Sequence, residues 1–84
     1  MDGKLIESEK YVKNFLLIFP QNKNYYYALY ILGEINFERG FYYKSYHYFL
    51  MSKKYNSDSE FSKKIISKIR ELESILNLQL LSGL

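Results

Sequence analysis

The stretch YYYALYILGEINFERGFYYKSYHYF, residues 25–49, holds eight tyrosines and three phenylalanines but only two glycines. A core does not need so many hydroxyls, and an ordinary surface does not favour so many rings. Three readings are open: a catalytic cluster, a stacking platform for nucleic acid, or the packing and groove of a helical array. Spacing favours the third. Tyr25, Ala28, Leu29, Leu32, Ile35 and Asn36 recur at helical intervals, so one helix face runs from about Tyr25 to Glu38. Arg39-Gly40 closes that helix, because glycine takes the left-handed C-terminal position without strain. A second face, Tyr42, Ser45, Tyr48, Phe49 and Ser52, predicts a helix from about Phe41 to Tyr55. The tyrosine runs also have β-propensity, but their apolar positions fit an alternating pattern less well.

Upstream, Leu5, Tyr11, Val12, Phe15, Leu16 and Phe19 predict a helix over 5–19, stopped by Pro20, the only proline. Downstream, NSDS at 56–59 is loop chemistry with an N-cap. Phe61, Ile65, Ile66, Ile69, Leu72 and Leu76 then form one stripe of a helix over 60–80. The expectation is an all-α fold of four helices in antiparallel hairpins, forming one domain over residues 1–84.

The bulk numbers limit what such a domain can be. At 84 residues, roughly 60–65% of the unfolded surface can be buried, so stability is thin. There is no cysteine to supply a disulfide or a thiolate metal site. A net charge of +3 is milder than the basic field of a dedicated nucleic-acid binder. The heavy use of Tyr, Lys, Asn and Ile also fits an AT-biased genome, so part of the tyrosine excess is background. The segment MDGKLIESEK lacks the apolar core of a signal peptide, and FLLIF at 15–19 is too short to span a bilayer. As written the chain is expected to be cytoplasmic; as a fragment of an envelope protein it would be periplasmic.

Shifted by thirty-seven residues, the chain aligns with itself: Gly3 on Gly40, Leu5 on Tyr42, Ser8 on Ser45, Val12 on Phe49, Leu29 on Ile66 and Ile35 on Leu72. The four helices are thus of two types, in the order B, A, B, A. On these residues, ALYILGEINFERGFYYKSYHYFLMSKKYNSDS resembles a tetratricopeptide repeat. Leu29, Leu32 and Gly33 match the W-x2-L-G pattern of its first helix, with leucine for tryptophan. Gly40 and Tyr42 match the inter-helix turn, Ser45 and Ser52 the small positions, and Phe49 the large position between them. Asn36 stands where tyrosine is usual, Ser57 replaces the closing proline, and Arg70 replaces the glycine in the last helix, which looks like a capping helix. The segment from Phe19-Pro20 to Tyr30 is longer than standard, as in the repeats of bacterial outer-membrane assembly lipoproteins and Tol–Pal-associated proteins.

The resemblance implies a fold and a site. The fold is a short solenoid, with 5–19 as the second helix of a partial repeat, 25–55 as a complete repeat and 60–80 as the cap. The site is the concave groove lined by first helices, here Tyr27, Tyr30, Glu34, Phe37 and Glu38. Rings flanked by carboxylates suit a protein or peptide ligand with apolar anchors and basic residues. Relatives that clamp chaperone tails need lysine and asparagine where this chain has Tyr30 and Glu34, so that ligand is disfavoured.

Other chemistry finds little support. His47 is the only histidine and has no nucleophile context, so neither catalysis nor a cofactor or metal is expected. The lysines at 53, 54, 63, 64 and 68 interleave with Asp58, Glu60, Glu71 and Glu73, which makes a nucleic-acid platform weaker than a solvated face. Tyr26, Tyr43 and Tyr46 lie off the expected core faces and read as amphipathic surface. The apolar tail, with Ile75, Leu76, Leu80 and Leu81, suggests a self-association surface and a possible homo-oligomer. Because arrays usually need about three repeats, the chain is expected to be part of a longer protein or to pair with another chain.

Overall fold

Turn chemistry sets where the helices begin and end. In the computed structural model, which describes the backbone of residues 2–82 and the side chains of 3–77, the elements are α1 (Asp2–Ile18), α2 (Tyr25–Glu38), α3 (Tyr42–Tyr55) and α4 (Ser59–Ser82). No strand occurs among the described residues. The boundaries follow the sequence to within a residue or two, apart from the start of α1, which lies three residues earlier than expected. α1 stops at Ile18, before Phe19, because the residue preceding Pro20 is pushed out of the helical region. Gly40 has φ +81° and completes a Schellman cap. Its N–H donates to the Phe37 carbonyl (3.0 Å), and the Phe41 N–H donates to the Asn36 carbonyl (2.9 Å). Asp58 Oδ1 accepts from the N–H groups of Glu60 (2.9 Å) and Phe61 (3.3 Å), which caps α4 as expected.

Consecutive helices are antiparallel neighbours, α1 on α2, α2 on α3 and α3 on α4. The Cα atoms span 43 × 33 × 16 Å, and the short dimension is about two helix layers deep. Phe61 in the first turn of α4 meets Tyr26, Tyr27 and Tyr30 on α2. Two turns later Lys68 lies over Phe37. α2 and α4 therefore run parallel, side by side. This packing of hairpins fits helical-repeat architecture in general.

The core sits where α2, α3 and α4 meet. Leu29, Leu32, Phe49, Ile65 and Leu72 are fully buried, with Tyr30 and Ile69 nearly so. Gly33 allows the closest approach: a Cβ added there would come within 2.7 Å of the Phe49 ring. The small residues opposite also carry hydrogen bonds. Ser45 Oγ donates to the Gly33 carbonyl (2.6 Å), and Ser52 Oγ to the Tyr26 carbonyl (2.7 Å). Each hydroxyl pairs with a carbonyl of the facing helix, so neither is left unsatisfied in the core.

α1 is attached differently. Its sector through Leu5, Val12 and Leu16 is only half-buried, and its one buried side chain among the described residues is Glu9. Tyr11 and Phe19, expected on the core face, are instead 77% and 50% exposed. The physical reason is that α1 has substantial packing only against α2, which is too narrow to cover its whole apolar stripe.

Candidate groove between α2 and α4

The outer stripe of α2 runs Tyr27, Ile31, Glu34, Glu38, spaced four, three and four residues apart. Of the five groove residues read from the sequence, Tyr27, Glu34 and Glu38 are exposed. Phe37 is half-buried, its ring edge-on to Tyr42 at 5.4 Å and beneath the Lys68 ammonium at 5.7 Å. Tyr30 borders the groove but is covered. It is only 7% exposed, because Phe61 from α4 sits 4.9 Å from its ring and Phe49 lies 5.3 Å away on the other side. Burial, helped by the nearby Glu34 carboxylate, raises the Tyr30 pKa above its usual value, so its hydroxyl stays neutral.

Two depressions adjoin this stripe. One, of about 690 Å³, runs over the C-terminal half of α2 and is lined by Ile31, Glu34, Phe37 and Glu38, with Leu5 on one side and Lys68 on the other. A second lies between α2 and α4, where Tyr30 and Glu34 face Lys63, Lys64, Ser67 and Lys68. The groove thus has an acidic wall on α2 and a basic wall on α4, over a floor of rings and aliphatic side chains.

Sequence reasoning missed two parts of this site. Ile31 was overlooked, although it continues the stripe of Tyr27, Glu34 and Glu38 at helical spacing. Lys63, Lys64 and Lys68 were read with Lys53 and Lys54 as a mixed-charge surface. Only the parallel packing of α4 on α2 brings them opposite Glu34. Among the described residues, no ion pair joins the two walls.

Behind α2 lies a polar cluster that the sequence did not signal. Arg39 Nη1 donates to Glu9 Oε1 (2.8 Å), and Asn36 Nδ2 donates to Glu9 Oε2 (3.3 Å) and to the Leu32 carbonyl (2.8 Å). Lys13 Nζ stands 3.6 Å from Glu9 Oε2. This explains why asparagine occupies position 36: it answers a buried carboxylate from α1. The available clue was Glu9 itself, a charge at an apolar-spaced position between Leu5 and Val12.

The remaining expected residues fall as follows. Leu76 is buried within its own chain and Ile75 is half-buried, so Leu76 is not free to contact another copy. Leu80 and Leu81 lie outside the residues whose side chains are described. Tyr43 is exposed as expected, whereas Tyr26 and Tyr46 are half-buried. Tyr26 packs edge-on to Phe61, and the Tyr46 hydroxyl donates to Glu73 (2.9 Å). His47 is exposed beside the Tyr48 ring. Among the described residues no cluster of acids and histidine could hold a metal, and no helix is long and apolar enough to cross a membrane.

Compared with protein-family models, characterised proteins and solved structures, the chain matches none.

Proposed function

We propose that this chain is a protein- or peptide-binding module of the tetratricopeptide kind, with its ligand in the groove between α2 and α4. The observation that carries this reading is the parallel pair of helices with unpaired charges of opposite sign on facing walls. Tyr27, Ile31 and Phe37 supply apolar contact area. Glu34 and Glu38 meet basic groups of the ligand, and Lys63, Lys64 and Lys68 meet acidic ones. Aromatic anchors in a charged rim are the composition of binding surfaces. The module holds its ligand and performs no chemistry on it.

A displayed library of random peptides, selected on the intact chain, tests this. The selected peptides should lose at least tenfold in affinity for a Glu34→Lys, Glu38→Lys double variant. Selection that yields no binders, or binders indifferent to both changes, would sink the reading.

A further inference from the structure

The groove between α2 and α4 divides into three strips. Glu34 and Glu38 form one edge, Ile31 and Phe37 the floor, and Lys64 and Lys68 the other edge. On both edges the charges are four residues apart, about 6 Å along the helix axis. The basic edge leans over the floor: the Lys64 ammonium lies 5.9 Å from the centre of the Phe61 ring, and the Lys68 ammonium 5.7 Å from that of Phe37. α2 and α4 meet through long side chains and not by close approach of their backbones, so the trough between them is broad.

We infer that the groove takes an amphipathic helix of another protein, one whose apolar seam is flanked by acidic residues along one edge and basic residues along the other. This rests on the groove being the binding site proposed above, and it names the class of ligand. Three strips call for a ligand with three faces. An extended peptide has two, because its side chains alternate: one that sends acids to α4 and bases to α2 keeps none for the floor. A helix serves all three strips at once. Its residues also recur along each edge at i and i+4, the same spacing of about 6 Å as the walls, so successive contacts stay in register. The signs exclude other partners. A uniformly acidic helix meets Lys64 and Lys68 but is repelled by Glu34 and Glu38, and a uniformly basic one meets the reverse. The phosphates of a nucleic acid face the same acidic wall. Turning the ligand end for end exchanges its two edges, so a given sequence matches the walls in one direction only. The groove therefore selects the direction of its ligand as well as its composition.

Three synthetic peptides of about sixteen residues, long enough to cover α2, test the inference by fluorescence anisotropy with the intact, unaltered chain. Each is locked as a helix by a hydrocarbon staple on its outer face, and all carry the same leucine seam. The flanks are Glu on one side and Lys on the other, Glu on both, or Lys on both. The unlike-flanked peptide should bind about tenfold or more tighter than either of the others. Bulk attraction cannot imitate that result, because the net charge of +3 favours the all-Glu peptide. Equal affinities, or tightest binding by a like-flanked peptide, overturn the inference. So does an unstapled form of the unlike-flanked peptide that carries a central proline and binds as tightly. In a Glu34→Lys, Glu38→Lys variant the ranking should change in favour of the all-Glu peptide. Both side chains are exposed, so helical content should hold. An unchanged ranking would place binding elsewhere and overturn the inference. Failure of all three peptides to bind overturns it too, whereas library-selected peptides that respond to the same two changes would still uphold the groove as a binding site.

Discussion

α1 and α3 are matched by the thirty-seven-residue shift, yet they are held to α2 by different physics. α3 meets α2 through a glycine, a ring and two serine hydroxyls bonded to carbonyls. α1 meets it through a half-buried apolar sector and one buried carboxylate. Close packing of small residues is short-ranged and intolerant of added volume. A buried ion cluster is tolerant of volume and intolerant of losing a partner. Repeat-like spacing therefore places helices without dictating how strongly each is attached.

The sharpest way to break this contrast is at Gly33. Gly33→Leu should cost about 3 kcal/mol or more, because even a Cβ would meet the Phe49 ring at 2.7 Å. Denaturant unfolding checks this, and an unchanged midpoint would mean the helices do not approach at that point. Next is Glu9→Ala. Leaving Arg39 and Asn36 without their carboxylate should cost about 2 kcal/mol. The loss should be local, with hydrogen exchange accelerated in α1 before α2 and α3; uniform acceleration would mean α1 is integral to the core. Ser45→Ala should cost about 1 kcal/mol, since the Gly33 carbonyl loses its 2.6 Å partner. The smallest effect belongs to Leu17→Ser. That side chain is 80% exposed, so its loss should stay within about 0.5 kcal/mol. A larger change would show that α1 is covered in solution.

Much of the fold was legible because helical spacing, Gly40, Pro20 and Asp58 are local signals. Gly33 and the serines at 45 and 52 marked the close helix pair, since small residues at that spacing have few other uses. The site was less legible. Tyr27, Glu34 and Glu38 are exposed, as helical spacing on the outer face of α2 predicts, but exposure depends on what covers a residue. Nothing near Tyr30 announces that Phe61, thirty-one positions away, lies over it. The lysine wall was hidden for the same reason, as charge pattern along one helix does not reveal which helix it faces. Glu9 was missed because a carboxylate in an apolar stripe looks like surface until its partners, twenty-seven and thirty residues away, are in place.

The two serine hydroxyls have a mechanical consequence. Ser45 and Ser52 are seven residues apart on α3, and their acceptors on Gly33 and Tyr26 are seven apart on α2. A single pin between two rods still lets one swivel about it; two pins, two turns apart, stop both swivelling and sliding. Phe49 rides on the rod so fixed, and α4 rests on Phe49. The distance between the acidic and basic walls is thus gauged by a pair of fasteners on the far side of α2, and a ligand in the groove would meet a gap of preset width.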